Sequence, residues 1–156
     1  MEHEKLDIID NKEFILKNKI QDLMDLLNKY LSGEKIELFS RINRLGIDLN
    51  IQEIFPTTFS QNVVKYLLNL ELGETTTYSQ IGDNIGSKAY RAIGNVCKSN
   101  PLPLIVPCHR VLRKNGEIGG FMGKSGNTWQ TNLKKKLLNI EGYRGKNSIL
   151  LQSKLI

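Results

Sequence analysis

The stretch "TTTYSQIGDNIGSKAYRAIGNVCKSN", residues 75–100, decides the fold of the second half of the chain. It predicts a short helix over "YSQIGDNIG", a turn at Gly86-Ser87, and a second helix over "AYRAIGNVCKSN" with Ser87 as its cap. Two helices at this spacing form a helix-turn-helix, a motif that often binds DNA. Many unrelated helix pairs share the pattern, so the spacing alone identifies no ligand.

A polar triplet follows this helix pair. The segment "PLPLIVPCHRV" predicts a buried strand over residues 104–106, which Pro107 ends because it has no amide hydrogen. Cys108, His109 and Arg110 come directly after it. A buried free cysteine is commonly a small hydrophobic residue, whereas a cysteine beside a histidine is a candidate nucleophile if a third group orients the histidine. The residues alone leave both interpretations open.

The remainder of this half predicts a turn, a loop and a helix. The Asn-Gly pair in "RKNGE" is typical of a tight hairpin, and "GGFMGKSG" is typical of a flexible loop. Residues 127–141 then predict a helix that Gly142 ends. The residues expected to face the core are Trp129, Leu133, Leu137 and Ile140.

The first half predicts a smaller unit. Residues 13–31 have the period of an amphipathic helix, capped by Asp10 or Asn11, whose apolar stripe is Leu16, Ile20, Leu23, Leu27 and Tyr30. Alternating apolar residues then predict short strands at residues 36–38 and 47–51, broken near Gly46. Pro56 and a Thr/Ser cluster close this unit and begin another helix. We therefore expect an α+β fold with a small mixed subdomain over residues 1–55 and a mainly helical one over residues 56–156.

Charge divides the chain in the same way. Residues 1–55 hold 8 Lys/Arg and 11 Asp/Glu, whereas residues 56–156 hold 14 Lys/Arg and 5 Asp/Glu, within a total net charge of +6. A strongly basic half favours a polyanionic partner, and charges scattered through folded sequence suit a duplex better than a membrane. A basic surface that only confers solubility is the alternative.

Composition excludes several other classes of protein. The chain has 156 residues, 40% of them hydrophobic, and no apolar run long enough to cross a bilayer. Its acidic start does not resemble a secretory signal, so we expect a cytoplasmic protein, or a nuclear one in a eukaryote. Two cysteines alone suit neither a disulfide framework nor a four-ligand zinc site. No metal and no cofactor is predicted.

Six segments, taken together and in order, resemble the O6-alkylguanine-DNA alkyltransferase family. They are "TTFSQNVVKYL", "GETTTYSQIG", "AYRAIGNVCKSNPLP", "IVPCHRV", "GEIGGF" and "LLNIEG", and they cover roughly residues 56–143. The resemblance implies a winged-helix-like helix-turn-helix and a DNA repair reaction by direct reversal. In that reaction the protein moves a methyl or other alkyl group from guanine O6 in DNA to its own cysteine and is consumed.

The resemblance assigns a role to each member of a catalytic set. Cys108 is the alkyl acceptor, His109 takes its proton directly or through a water, and Glu141 orients His109. Tyr78 donates to the leaving guanine, and Asn100 braces the turn that carries the cysteine. From spacing alone, the favoured interpretation of Glu141 is a solvated acid at a helix end, and that of Tyr78 is a core aromatic.

The resemblance also implies how DNA is held. The reacting guanine must rotate out of the duplex, and Arg91 matches the arginine that enters through the minor groove to fill the gap. A generic phosphate contact is the other interpretation of Arg91. The remaining DNA-binding residues implied are Ser87, Lys88, Tyr90 and Ala92, and those of the substrate pocket are Val111, Phe121, Met122 and Gly123. The carbonyls of Cys108 and Val111 would accept from the exocyclic amine of guanine.

Three features depart from the family pattern. Phe121 stands where the family commonly has tyrosine, the segment over residues 124–132 is longer than usual, and the N-terminal unit is short and lacks the zinc ligands of some relatives. Cys97 sits beside Val96 on the second helix with nothing nearby to ionise it, so we expect a structural role for it.

The resemblance predicts a monomer that acts on double-stranded DNA, binds no membrane, and leaves activity on O4-alkylthymine open. A non-reactive sensor of alkylated DNA is the alternative, but such relatives replace the cysteine that is present here. A Cys-His hydrolase and a sequence-specific regulator are the remaining interpretations. Ester turnover would indicate the first of these, and operator binding the second.

Overall fold

The structure is a computed structural model that describes residues 2–143 and Gly145. Across these residues the fold is mainly helical with one two-stranded parallel sheet, which confirms the predicted mixed fold class. The elements in chain order are α1 (Glu2–Leu31), α2 (Leu38–Arg44), α3 (Ile51–Ile54), α4 (Thr58–Leu68), β1 (Thr76–Thr77), α5 (Tyr78–Asn84), α6 (Tyr90–Lys98), a 3₁₀ turn (Cys108–Arg110), β2 (Val111–Leu112) and α7 (Trp129–Ile140). The chain divides into two compact units, Met1–Leu49 and Asn50–Ile156, a few residues before the boundary predicted at residue 56.

The first unit packs the end of α1 against α2. Leu26 and Tyr30 are buried on α1, and Leu38 and Ile42 are buried on α2. The helix predicted over residues 13–31 is therefore present. Its apolar stripe is only half correct, because Leu16 and Ile20 are 59% and 50% exposed. The predicted cap is wrong, because Asp10 and Asn11 lie inside α1.

The strands predicted in this unit are also wrong. Residues 38–44 form α2, and residues 51–54 form the short α3. Leu38 and Ile42 lie four residues apart, a spacing that places both side chains on one face of a helix, and both are buried. Helical packing of this pair therefore prevails over the alternation that predicted a strand.

Local capping sets the start of the helices in the second unit. Thr57 and Ser60 form a capping box at α4, and Thr77 and Gln80 form one at α5. The predicted helix after Pro56 and the predicted helix-turn-helix are both present. Ser87 is not the cap of α6, however. That position belongs to Ala89, whose amide donates to Ser87 Oγ at 3.2 Å within the turn.

The parallel pairing of β1 with β2 brings distant segments together. Thr76 lies opposite Val111, and Thr77 lies opposite Leu112. Since α5 begins directly after β1 and the 3₁₀ turn ends directly before β2, this pairing places Tyr78 near Cys108.

The strand predicted over residues 104–106 is wrong. These residues form a turn, in which the amide of Val106 donates to the carbonyl of Leu102 at 2.8 Å. Pro101, Pro103 and Pro107 surround the segment, and a proline supplies no amide hydrogen for a strand ladder. The second strand of the sheet, β2, therefore begins only after the last of these prolines, at Val111. The predicted Asn-Gly turn is present, since Gly116 has a φ of 79° and the amide of Arg113 donates to the carbonyl of Glu117 at 3.0 Å.

Helix α7 presents a different face to the core from the one predicted. Trp129 is 64% exposed, and Leu133 and Ile140 are only half-buried. The buried residues are instead Thr131, Lys134, Leu137, Leu138 and, at its C-cap, Glu141. Leu137 alone of the predicted inward set is fully buried. The helix ends as predicted at Gly142, which has a φ of 85°.

Candidate active site

Cys108 lies at the start of the 3₁₀ turn and is 4% exposed. Its Sγ accepts a hydrogen bond from Asn100 Nδ2 at 3.2 Å. Burial raises the pKa of the Cys108 thiol, while the Asn100 hydrogen bond and the charge of Lys134 act in the opposite direction. The resting group is therefore a protonated thiol near neutral pH, and its reaction as a thiolate requires a proton acceptor.

Asn100 holds the chain that leads to this cysteine. Besides bonding Cys108 Sγ, its Nδ2 donates to the carbonyl of Val106 at 2.9 Å, and its Oδ1 accepts from the amide of Leu102 at 2.9 Å. One buried amide thus fixes both ends of a turn that has no strand hydrogen bonds of its own. These bonds fit the bracing role that the family resemblance implied for Asn100.

His109, the residue after the cysteine, forms a buried pair with Glu141. His109 is fully buried, and its Nε2 lies 2.9 Å from Glu141 Oε1. Burial raises the pKa of Glu141, but hydrogen bonds from His109 and Arg110 outweigh burial and bring the pKa to about 2. An ionised carboxylate only accepts hydrogen bonds, so His109 Nε2 carries the hydrogen. Nδ1 of the same ring is buried and bonds to no described residue, which leaves it as the atom that can take a proton.

Arg110 completes this cluster, and sequence reasoning assigned it no role. Its Nε donates to Glu141 Oε2 at 2.8 Å and its Nη2 to Glu141 Oε1 at 3.0 Å. Its Nη1 donates to the carbonyl of Leu70 at 2.7 Å, at the end of the segment that follows α4. A guanidinium that binds a carboxylate with two nitrogens fixes its orientation. Arg110 therefore sets the position of Glu141, which in turn sets that of His109.

Lys134 is a second buried cation that the sequence did not predict. It is fully buried on α7, and its Nζ donates to the carbonyl of Val111 and, at 3.2 Å, to that of Gly120. Burial lowers the pKa of Lys134 to about 8, although the nearby Cys108 and Cys97 thiols act to raise it. Lys134 thus ties β2 to the glycine-rich loop and places a positive charge near the thiol. Lys134 lies seven residues, or about two helical turns, before Glu141, so both fall on one face of α7. This spacing was the signal in the sequence that could have predicted the burial of Lys134.

A cavity of about 220 Å³ opens beside Cys108. Burial and the nearby thiols raise the pKa of Tyr78 to about 12, so its hydroxyl keeps its proton and can donate. Cys97 lines this cavity as well, although the sequence predicted a structural role for it. The lining residues are Tyr78, Gly94, Cys97, Lys98, Cys108, Gly120, Phe121, Met122, Gly123, Lys124 and Ser125.

The glycine-rich loop closes one side of this cavity. The amide of Phe121 donates to the carbonyl of Lys124 at 2.8 Å, and the amide of Lys124 donates back at 3.0 Å. Met122 and Gly123 form the tip with positive φ values of 48° and 74°. Phe121 is buried at the base of the loop, so its ring forms a wall while Met122 stays partly exposed.

The residues predicted to bind DNA lie in the turn before α6 and in the first turn of that helix. Lys88, Tyr90 and Arg91 are exposed, and Ser87 and Ala92 are half-buried. The same helix reaches the cavity through Gly94, Cys97 and Lys98, one to two turns further on. A side chain at Gly82 would collide with the Ser87 carbonyl and the Tyr90 ring, so glycine there allows α5 to approach the turn closely.

Comparison with known proteins decides the family. A family model described as "6-O-methylguanine DNA methyltransferase, DNA binding domain" matches residues 58–143. The chain belongs to this family. It is 38% identical over 118 residues to a probable methylated-DNA–protein-cysteine methyltransferase of Acanthamoeba polyphaga mimivirus, covering 75% of this chain and 73% of that one. It is 36% identical over 129 residues to a methylated-DNA–protein-cysteine methyltransferase of Mycobacterium tuberculosis, covering 82% and 68%. The family predicted from the six segments is thus confirmed.

A solved structure agrees with this. The crystal structure of Mycobacterium tuberculosis OGT in complex with DNA matches with a TM-score of 0.56 and 34% identity, over 76% of this chain and 64% of that chain. In this chain, Asn100 bonds Cys108, Tyr78 and Cys108 line one cavity, and His109, the residue after Cys108, bonds Glu141. The catalytic roles that the family resemblance implies for these five residues stay predictions. Of the predicted pocket residues, Phe121, Met122 and Gly123 line the cavity. Val111 does not line it: this residue is fully buried, and its carbonyl accepts a hydrogen bond from Lys134.

Proposed function

We propose that this chain repairs O6-alkylguanine in double-stranded DNA by transferring the alkyl group to Cys108 in a single, irreversible turnover. The observation that carries the proposal is a buried thiol that opens on a cavity and is flanked by a His109–Glu141–Arg110 cluster. Carbon transfer from oxygen to sulfur needs a soft anionic nucleophile, which a cysteine supplies only after it loses its proton.

The first step is proton removal from Cys108. Nδ1 of His109 is the acceptor, reached directly or through one water, and the ionised Glu141 stabilises the imidazolium that forms. The charge of Lys134 and the amide of Asn100 favour the thiolate at the moment when it forms. Together these groups offset the burial that keeps the resting thiol protonated.

The second step is displacement at the alkyl carbon. The Cys108 sulfur forms a bond to this carbon, the bond from carbon to guanine O6 breaks, and its electron pair passes to the guanine ring. Tyr78, whose raised pKa keeps its proton in place, donates to the base as this negative charge develops. The product is a stable thioether, so the protein acts once.

The substrate base must leave the duplex to reach this cavity, since the reacting carbon is out of reach inside a base stack. Arg91, exposed near the start of α6, enters through the minor groove and fills the space that the base vacates. Ser87, Lys88, Tyr90 and Ala92 line the helix start that approaches the DNA. The family resemblance assigns the contact to the exocyclic amine to the carbonyls of Cys108 and Val111. Cys108 lines the cavity, whereas Val111 is fully buried and its carbonyl accepts from Lys134, so we assign this contact to the carbonyl of Cys108.

Several finer expectations remain predictions: action as a monomer, location in the cytoplasm or nucleus, and activity on O4-alkylthymine. Within residues 2–143, no helix is both long and apolar enough to cross a bilayer.

The sensor alternative is not favoured, because its defining feature is the loss of the cysteine that lines the cavity here.

Intact-mass measurement after incubation with a duplex containing one O6-methylguanine tests the proposal. We expect one added methyl group per chain, located on Cys108, and an unmodified DNA product. Cys108→Ser should bind the same duplex and gain no mass, because a hydroxyl ionises far less readily than a thiol. Methyl transfer by Cys108→Ser, or repeated turnover by the wild-type protein, would contradict the proposal.

A further inference from the structure

We propose that Cys97 is a second acceptor thiol, which captures the far carbon of a two-carbon alkyl group that carries a leaving group after Cys108 has taken that group from guanine. This inference rests on the proposed function. It adds an activity toward bifunctional adducts, such as O6-(2-chloroethyl)guanine, whose product would be a protein with Cys108 and Cys97 joined by an ethylene bridge.

The cavity places both thiols along the path of the alkyl group. Cys97 comes from α6 and Cys108 from the 3₁₀ turn, yet both line the same space of about 220 Å³. That volume corresponds to roughly seven water molecules at about 30 Å³ each. Once guanine has left, a two-carbon chain anchored on Cys108 can explore much of this space. Both cysteines are free and buried, so neither is held in another bond.

The resting state of Cys97 explains why it does not compete for ordinary adducts. Burial and the neighbouring Cys108 raise the pKa of Cys97 to about 12. A neutral thiol is a poor nucleophile toward an alkyl ether of guanine. Cys108 has the Asn100 hydrogen bond and the adjacent His109, and no equivalent bond to Cys97 occurs among the hydrogen bonds of the described residues. First transfer therefore goes to Cys108.

A bifunctional adduct changes the charge in the cavity. After the first transfer, the Cys108 sulfur displaces the terminal chloride, so a second carbon–sulfur bond forms and chloride leaves, which gives a three-membered sulfonium ring. This cation is a new positive charge in a buried space, and a nearby opposite charge favours the thiolate form of Cys97. Cys97 loses its proton to water and its sulfur attacks a ring carbon, which opens the ring. Each sulfur ends as a neutral thioether, and no oxidant or reductant takes part.

Capture by Cys97 would prevent the reactive sulfonium from alkylating other molecules. Without a second thiol, the sulfonium would react with water or with the DNA that is still bound. Other cavity-lining residues also carry nucleophilic groups, namely the oxygens of Tyr78 and Ser125, the nitrogens of Lys98 and Lys124, and the thioether sulfur of Met122. The oxygen and nitrogen groups are harder nucleophiles than a thiolate, and the pKa of Tyr78 is raised to about 12. Attack by the Met122 thioether would leave a sulfonium and not a neutral product. Soft carbon electrophiles favour sulfur, so Cys97 should capture the chain first.

The test is peptide mapping and intact mass after reaction with duplexes that carry one O6-(2-chloroethyl)guanine or one O6-methylguanine. In the wild-type protein we expect the chloroethyl duplex to give a bridged chain, whose mass rises by one ethylene unit less two hydrogens, with no DNA attached. Cys97→Ser should give a hydroxyethyl group on Cys108 or a protein–DNA cross-link instead. Both proteins should still take up one methyl group on Cys108 from the methylated duplex, which shows that the substitution preserves the site.

The outcomes separate this inference from the proposed function. A wild-type product with hydroxyethyl on Cys108 and a free Cys97, or a bridge to Tyr78, overturns the inference while methyl transfer still stands. Failure with the methylated duplex counts against the proposed function. In that case, free protein treated with 1,2-dibromoethane still tests the bridge without DNA. A wild-type chain that shows no linkage between the two cysteines under that treatment also overturns it.

Discussion

Arg110 and Glu141 meet through two hydrogen bonds, from Nε to Oε2 at 2.8 Å and from Nη2 to Oε1 at 3.0 Å, and both side chains are almost completely buried. Glu141 also bonds His109, so a single carboxylate connects the imidazole ring to a structural cation. The cluster that we propose to activate the thiol is therefore part of the core.

Arg110→Met should destabilise the protein strongly, because it leaves Glu141 buried with its main cation removed. Breaking such a pair typically costs about 3 to 5 kcal/mol in the free energy of unfolding. Urea denaturation of the variant measures this. Glu117→Gln is the matched control, since the Arg113–Glu117 pair spans 3.5 Å, is more than half exposed, and should contribute about 1 kcal/mol or less. Equal effects of the two substitutions would contradict the structural role of Arg110.

Acid should weaken the fold through Glu141. Its pKa is lowered from 4.5 to about 2, so the unfolded state binds the proton more readily than the folded state. The stabilisation is therefore complete above pH 4.5 and is lost as pH falls toward 2, by about 3 kcal/mol in total. Unfolding free energies measured across this window should fall steeply in the wild-type protein and less in Glu141→Gln. Parallel curves for the two proteins would show that another carboxyl group is responsible.

Lys134→Met should slow alkyl transfer. The charge of Lys134 lowers the pKa of Cys108, so its removal leaves less thiolate, and each unit of pKa corresponds to about a tenfold change in the thiolate fraction. The variant also loses the link between Val111 and Gly120. The pH profile of the rate of methyl transfer from a duplex should therefore shift toward higher pH. Lys136→Met, at an exposed position of the same helix, should leave the rate and the pH profile unchanged.

Tyr78→Phe should reduce the rate of transfer and leave the fold intact, because it removes the proposed proton donor while keeping the ring. Loss of a general acid typically costs about 10² to 10⁴ in rate. Single-turnover kinetics with a methylated duplex provide the measurement. Tyr66→Phe is the control, because Tyr66 does not line the cavity and its hydroxyl instead bonds Thr76 Oγ1, at a distance of 3.1 Å. A rate for Tyr78→Phe within twofold of the wild type would remove Tyr78 from the chemistry.

Local signals in the sequence predicted much of the second unit. Neighbouring residues determine the short-range hydrogen bonds and backbone preferences that start and end these elements. Such features are the helix starts at Thr57 and Thr77, the Asn-Gly turn, and the helix stop at Gly142. The prediction of a strand at residues 104–106 was wrong because it relied on their apolar composition and gave too little weight to the three prolines around them. Its true counterpart, β2, is only two residues long and depends on pairing with a segment more than thirty residues away.

In the candidate site, too, residues were predicted where their chain neighbours carry the signal and missed where the contacts are distant in the sequence. The family resemblance pointed to Cys108, His109 and Glu141 through their neighbours in the chain, whereas the partners of Arg110 and Lys134 lie far along it, at Leu70, Val111 and Gly120. A lysine or arginine is normally exposed, so sequence alone favours a solvated side chain at both positions. On α7, the predicted apolar face ran through Trp129 and Leu133, one residue out of phase with the buried face that includes Lys134. A buried charge conceals the helical period that apolar residues otherwise reveal.

Arg91→Ala should impair repair of a duplex far more than reaction with free O6-benzylguanine, since only the duplex requires a base to be held outside the stack. Arg91 is exposed near the start of α6, whereas the cavity lies further along that helix at Gly94, Cys97 and Lys98, so the substitution leaves the cavity lining unchanged. Second-order rate constants for the two substrates give the ratio. Lys65→Ala, on α4 and outside the proposed DNA face, is the control and should change neither rate. If Arg91→Ala slowed both reactions equally, its role would lie in the fold or the chemistry and not in holding DNA.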